Sequence, residues 1–166
     1  MEKLIFKEFE ICPAYEHEGH IAQLFSEYTR MLKDNDLTVA AYLELQNYDD
    51  ELADLRHKYG EPDGRLYIAF LDGAAVGCVG MKRQDERSCE LKRLYVRPEY
   101  RGRGLARYMS ELILAEAKKA GYERVLLDTL DFLKDAQALY KRLGFREIPK
   151  YNDSPMKNAM YMEYEL

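Results

Sequence analysis

The feature that most limits how this chain can fold is a strand that runs into a glycine-bearing turn and then into a helix. Residues 89–97 form a strand-like run that Pro98 ends. Arg101-Gly102-Arg103-Gly104 follows. Leu105, Met109, Leu112, Ile113 and Ala117 then recur at helical spacing, predicting a helix over 102–120 that stops at Gly121. A helix N-terminus offers unpaired N–H groups and about half a unit of positive charge. Glycines at its mouth let an anion approach the backbone closely. Arg97, Arg101, Arg103 and Arg107 crowd this stretch in a chain of net charge -5. A solvated arginine-rich surface is the plainer meaning of such a cluster. The glycines, set between strand and helix, favour a pyrophosphate cradle instead. It is not an ATP-type P-loop, because no Gly-Lys-Ser/Thr follows. Nor is it the dinucleotide pattern, whose third glycine position is Arg107 here.

The rest of the chain reads as α/β. Residues 3–11 predict a first strand. Ile21, Leu24, Phe25, Tyr28, Met31 and Leu32 predict a helix over about 17–33, and Leu52 and Leu55 a second over about 48–59. Residues 65–71 and 74–82 form a hairpin about Asp72-Gly73. A strand over 124–130, a helix over 133–143 and closing strands at 145–148 and 159–166 complete the order. This predicts a mixed sheet, antiparallel first and βαβ later. With 166 residues, no repeat and no linker, residues 1–166 read as a single domain.

Other classes are argued against. No apolar run is long enough to span a bilayer and the first residues lack a signal-peptide pattern, so the chain is expected in the cytoplasm, with no membrane partner. Cys12, Cys78 and Cys89 are scattered, and His17, His20 and His57 form no ligand cluster, so no metal is expected. The acidic balance argues against nucleic acid.

The run Leu91-Lys92-Arg93-Leu94-Tyr95-Val96-Arg97-Pro98-Glu99-Tyr100-Arg101-Gly102-Arg103-Gly104-Leu105-Ala106 resembles the central motif of the GNAT N-acetyltransferase superfamily. Ala138-Leu139-Tyr140-Lys141-Arg142-Leu143-Gly144-Phe145 resembles that family's second signature. The resemblance covers nearly the whole chain and is weakest over 12–62. It implies a mixed, mostly antiparallel central sheet with flanking helices and a parallel, splayed strand pair, here 89–97 and 124–130. It also implies acetyl-CoA as co-substrate. Backbone groups at Leu94, Tyr95 and Val96 would pair with the pantetheine arm. N–H groups of Arg101, Gly102, Arg103, Gly104, Leu105 and Ala106 would hold the pyrophosphate. Relatives often carry asparagine where Leu133 stands, with Asp131 or Asp135 left to supply a polar contact. A homodimer is common in the family.

Acyl transfer to an amine needs a free lone pair. Deprotonating an alkyl ammonium costs roughly 4–5 kcal/mol at pH 7. A nearby base therefore helps. Glu90 is the candidate, by its place before the cradle and by resemblance. Strand alternation puts Glu90, Lys92, Leu94 and Val96 on one face. The plainer reading is a sheet carboxylate paired with Lys92 or Lys82. Tyr140 is the second candidate. The resemblance makes it the hydrogen-bond donor, or proton donor, to the departing thiolate; otherwise it is a core aromatic. Cys89 has no histidine close in sequence to make it a nucleophile.

The expected activity is an N-acetyltransferase acting on a primary amine of a small molecule, an amino acid or a protein, by direct attack. The alternative is a catalytically silent acyl-CoA sensor or scaffold of the same fold. Acceptor contacts are expected from about 17–62 and 149–158, which hold Tyr28, Arg30, Tyr42, Tyr48, Tyr151 and Asn152. The acidic stretch Asn47-Tyr48-Asp49-Asp50-Glu51 reads as a solvated helix start.

Overall fold

The computed structural model describes residues 3–36, 38–40, 43 and 48–166. Met1, Glu2, Leu37, Ala41, Tyr42 and 44–47 lie outside the described residues, and with them the expectations for Tyr42 and Asn47. The strands are β1 (Leu4–Phe6), β2 (Phe9–Pro13), β3 (Arg65–Leu71), β4 (Ala74–Arg83), β5 (Ser88–Val96), β6 (Arg124–Leu130), β7 (Arg146–Ile148) and β8 (Ala159–Glu165). They form one sheet in the order β1-β2-β3-β4-β5-β6-β8-β7. Only β5 and β6 pair parallel among these; the other pairs are antiparallel. The helices are α1 (Glu18–Asn35), α2 (Tyr48–Ala53), α3 (Leu55–Tyr59), α4 (Leu105–Lys119) and α5 (Lys134–Leu143).

Two expected boundaries change. The single strand over 3–11 is a hairpin, because Lys7 turns at φ 52° and Phe6 pairs with Phe9. Its turn lacks the usual glycine or asparagine but is anchored elsewhere: Lys7 Nζ donates to Arg103 O at 2.9 Å, and Glu8 pairs with Arg103 at 3.2 Å. The helix over 48–59 divides at Asp54, which accepts a hydrogen bond from the His57 N–H at 3.2 Å and starts a new N-terminus. The Asp72-Gly73 hairpin has positive φ at both residues, as a tight two-residue turn requires.

Each face of the sheet carries its own core. On one, Leu105, Met109, Ile113 and Ala117 of α4 pack with Ile11, Val79, Met81, Cys89 and Leu91. On the other, Ile21, Leu24 and Phe25 of α1, with Leu55 and Tyr59 of α3, pack on Leu66, Ile68 and Cys78. Helical spacing puts each apolar set on one side of its helix, and every large side chain so buried contributes roughly 1.5–3 kcal/mol.

Two irregularities shape the middle of the sheet. The parallel ladder pairs Ser88 with Arg124, Cys89 with Val125 and Glu90 with Leu126, and there it stops. Strand β5 continues to Val96 and β6 to Leu130, so the two part beyond Glu90. The second is a bulge. Gly80 faces Lys92 and Cys78 faces Tyr95, so two steps on β4 oppose three on β5, with Arg93 at φ 58°. The extra residue breaks the alternation. Leu94 and Val96 pack on the α4 side, whereas Glu90 and Lys92 line a cleft beside α2 and α3. The shared face expected for all four is therefore divided by the bulge.

Candidate active site

Glu90 sits at the last paired position before the strands part, with 4% of its surface exposed. Tyr151 Oη donates to its Oε2 at 2.6 Å. Lys82 Nζ lies 3.6 Å from its Oε1. Of the two lysines expected as partners, Lys82 makes the pair and Lys92 does not.

Beyond the fork, Pro98–Tyr100 forms a short 3-10 turn, and α4 begins only at Leu105. The expected start at Gly102 is too early, because Gly102 and Gly104 both hold left-handed φ, at 80° and 85°. That conformation favours glycine. Gly104 is the N-cap and supplies no side-chain cap, so the first-turn N–H groups are left for another acceptor. A Cβ built on Gly102 meets no protein atom within 4 Å. The turn is thus open at Gly102, while a Cβ on Gly104 would meet Phe6 and Lys7 at 3.5 and 3.7 Å, and its polar backbone suits a phosphate.

The arginines play a different part from the one their clustering suggests. Arg97 grips Glu27 through Nε and Nη2 at 2.9 and 2.7 Å. Arg101 Nε donates to Val96 O at 2.8 Å, Arg103 pairs with Glu8, and Arg107 with Glu111 at 2.9 Å. Each guanidinium thus holds one of the protein's own groups.

Tyr140 projects from α5 and is 6% exposed, packed against Phe145 at 5.6 Å between ring centroids. Burial, aided by Tyr28 and Asp128, pushes its hydroxyl pKa well above the ordinary tyrosine value. Leu133 is the N-cap of α5 without a capping side chain, and packs with Leu32, Leu130 and Met156. Of its polar neighbours, Asp131 accepts from Asn158 at 3.2 Å, and Asp135 is exposed in the first turn. Cys89 is buried, and burial pushes its thiol up to about 12, far from a reactive thiolate.

The cleft beside Glu90 encloses about 750 Å³ and is walled largely by charged residues, among them Glu51, Lys58, Lys82, Glu90 and Lys92. Several of these drew no functional reading from the sequence. Glu51 is buried, not solvated as its acidic neighbourhood suggests. It takes Arg93 at 2.8 Å and also pairs with Lys58. Burial pushes the Glu51 carboxyl up, but Arg93 and Lys58 outweigh it and hold it below the usual carboxylate range. Three charged residues at 90, 92 and 93 on an internal strand were the available signal. The closing loop supplies Tyr151 to Glu90, and Asn152, whose Nδ2 donates to Asp128 at 2.8 Å. Tyr48 lies beneath Arg93 at 5.7 Å, Tyr28 meets Tyr95 edge-on at 6.2 Å, and Arg30 is exposed.

Residues 21–145 match the acetyltransferase (GNAT) family. An uncharacterised N-acetyltransferase of Schizosaccharomyces pombe is 43% identical over 126 residues, which cover 75% of this chain and 77% of that one. The crystal structure of an acetyltransferase from Streptococcus agalactiae superposes with a TM-score of 0.77 at 22% identity, over 97% of this chain and 100% of that one. PaiA N-acetyltransferase from Thermoplasma acidophilum, in complex with coenzyme A, superposes at 0.73 with 17% identity, over 95% and 99%. At these identities the two structures speak for the fold. Among the described residues no helix is long and apolar enough to cross a membrane.

Proposed function

This chain belongs to the acetyltransferase (GNAT) family, and from that premise we propose that it transfers an acetyl group from acetyl-CoA to a primary amine by direct attack. The observation that carries this is the parting of β5 and β6 immediately after Glu90 and Leu126, with the open Gly102–Gly104 turn beyond it. The parted strands thus lie between the carboxylate at Glu90 and the phosphate-suited turn that follows β5.

Acetyl-CoA supplies the thioester carbonyl that the amine attacks and the thiolate that leaves. Backbone N–H groups from Arg101 to Ala106 hold its pyrophosphate, and the unpaired edge of β5 at Leu94, Tyr95 and Val96 takes its pantetheine arm. Glu90 receives the ammonium proton, directly or through water, and lowers the roughly 4–5 kcal/mol cost of freeing the lone pair. Tyr151 and Lys82 fix that carboxylate in place. Tyr140 holds its proton tightly, so its role is to donate a hydrogen bond to the sulphur as charge develops, rather than to surrender the proton.

The test is a thiol-release assay with acetyl-CoA against a panel of small amines, amino acids and peptides. Saturable release of CoA that depends on one acceptor class is expected. Tight CoA binding with no release from any acceptor would leave a silent acyl-CoA sensor as the better description.

A further inference from the structure

We propose that the acceptor carries a carboxylate near its amine, bound by Lys92, so that the substrate class is small amino acids rather than simple amines. This rests on the N-acetyltransferase reading and adds to it the acceptor's chemistry.

Lys92 lines the cleft and is 9% exposed. Of the cleft's other cations, Lys82 pairs with Glu90, Lys58 with Glu51 and Arg83 with Asp63 at 3.7 Å, while Arg56 is exposed and lies against the Tyr15 ring. Lys92 is buried, and its Nζ makes no hydrogen bond or ion pair among the described residues. Burial pulls its pKa down, and the carboxylates of Glu90 and Asp128 act from a distance to raise it. An ammonium taken out of water without a contacting anion is costly. A ligand carboxylate would supply the missing contact.

Geometry agrees. Glu90 and Lys92 are two residues apart on one strand, ahead of the bulge, and both enter the same cleft. Two steps along a strand span roughly 7 Å. A small amino acid bridges such a span, with its amine at Glu90 and its carboxylate at Lys92. An acceptor with a second cationic group would instead meet Lys92 and Lys82 with like charge. A site with a buried polar group left unpaired rejects an analogue by orders of magnitude.

The experiment compares aspartate, glutamate and β-alanine, each against its carboxamide analogue, in the thiol-release assay on the full chain with saturating acetyl-CoA. A kcat/KM at least about 100-fold higher for an acid than for its amide is expected. Lys92→Met should shrink that ratio at least about tenfold, with CoA affinity and circular dichroism reporting that the variant is folded. Equal rates for acid and amide, or a ratio unchanged in Lys92→Met, would overturn the carboxylate site while leaving the transferase reading intact. Should Lys92→Met not fold, the wild-type ratio decides. If no amine releases CoA, the transferase reading fails. Calorimetry with the same pairs on the CoA-saturated protein then decides this inference: binding of an acid but not its amide supports it, and binding of neither overturns it.

Discussion

Tyr151 donates a 2.6 Å hydrogen bond to Glu90 across 61 residues of sequence, joining the closing loop to the strand at the fork. If Glu90 is the base, Glu90→Gln should lower kcat/KM by about 10²–10⁴ near neutral pH. The deficit should shrink between pH 6 and 9, because the free amine becomes more abundant toward its pKa of about 10.4. Tyr151→Phe removes a hydrogen bond to a charged group, worth about 1.5–3 kcal/mol, and should cost about tenfold or more. Steady-state rates across pH check both. A Glu90→Gln deficit that does not change with pH would remove Glu90 from the base role.

Glu51 and Arg93 form a pair with 0% and 2% of their side chains exposed. Arg93 occupies the bulge that separates Glu90 and Lys92 from Leu94 and Val96. Glu51→Ala breaks a buried ion pair by removing its carboxylate and should lower stability by about 3–5 kcal/mol. Urea unfolding measures this. Glu51's carboxyl is held below its ordinary 4.5 in the folded chain, so its contribution is present above that value and fades as pH falls below it. The Glu51→Ala variant should therefore lose part of the wild-type acid sensitivity.

Much of the fold was legible because apolar spacing and turn chemistry agree with the tertiary structure, as at Asp72-Gly73 and along α4. The glycine turn was legible for the same reason. Places where a long-range contact overrides a local rule are not legible in the same way. Lys7 turns at positive φ because Arg103, 96 residues on, receives its ammonium. Arg93 does so with Glu51 against it, and one extra residue there was enough to reverse the predicted faces of Leu94 and Val96. Glu51 looked solvated because its cationic partners lie seven and 42 residues away.

Tyr28 should make the protein sensitive to alkali. Burial pushes its pKa from 10.0 up to about 12. A group whose folded pKa is raised contributes stability that is whole below the unfolded value and is lost as pH rises through the folded one. Two units correspond to roughly 3 kcal/mol, so stability should fall between about pH 10 and 12. Tyr59 and Tyr140, also raised by burial, add to the same trend. Denaturant midpoints from pH 8 to 11, with tyrosinate absorbance recorded in parallel, test this. Wild-type Tyr28 ionising at pH 10 without loss of structure would contradict it, and Tyr28→Phe should flatten the curve.

Gly102 and Gly121 separate strain from ligand approach. Both hold left-handed φ, 80° and 93°, and a Cβ on either meets no protein atom within 4 Å. Alanine at each should therefore cost a similar 1–2 kcal/mol or so of backbone strain. Only Gly102 lies at the turn before α4; Gly121 follows its far end, roughly 20 Å along the helix. If the Gly102 turn receives the pyrophosphate, Gly102→Ala should weaken CoA binding at least about tenfold by calorimetry while Gly121→Ala leaves it near wild type. Equal losses would mean that strain alone explains the effect, and the phosphate would have to be sought away from this turn.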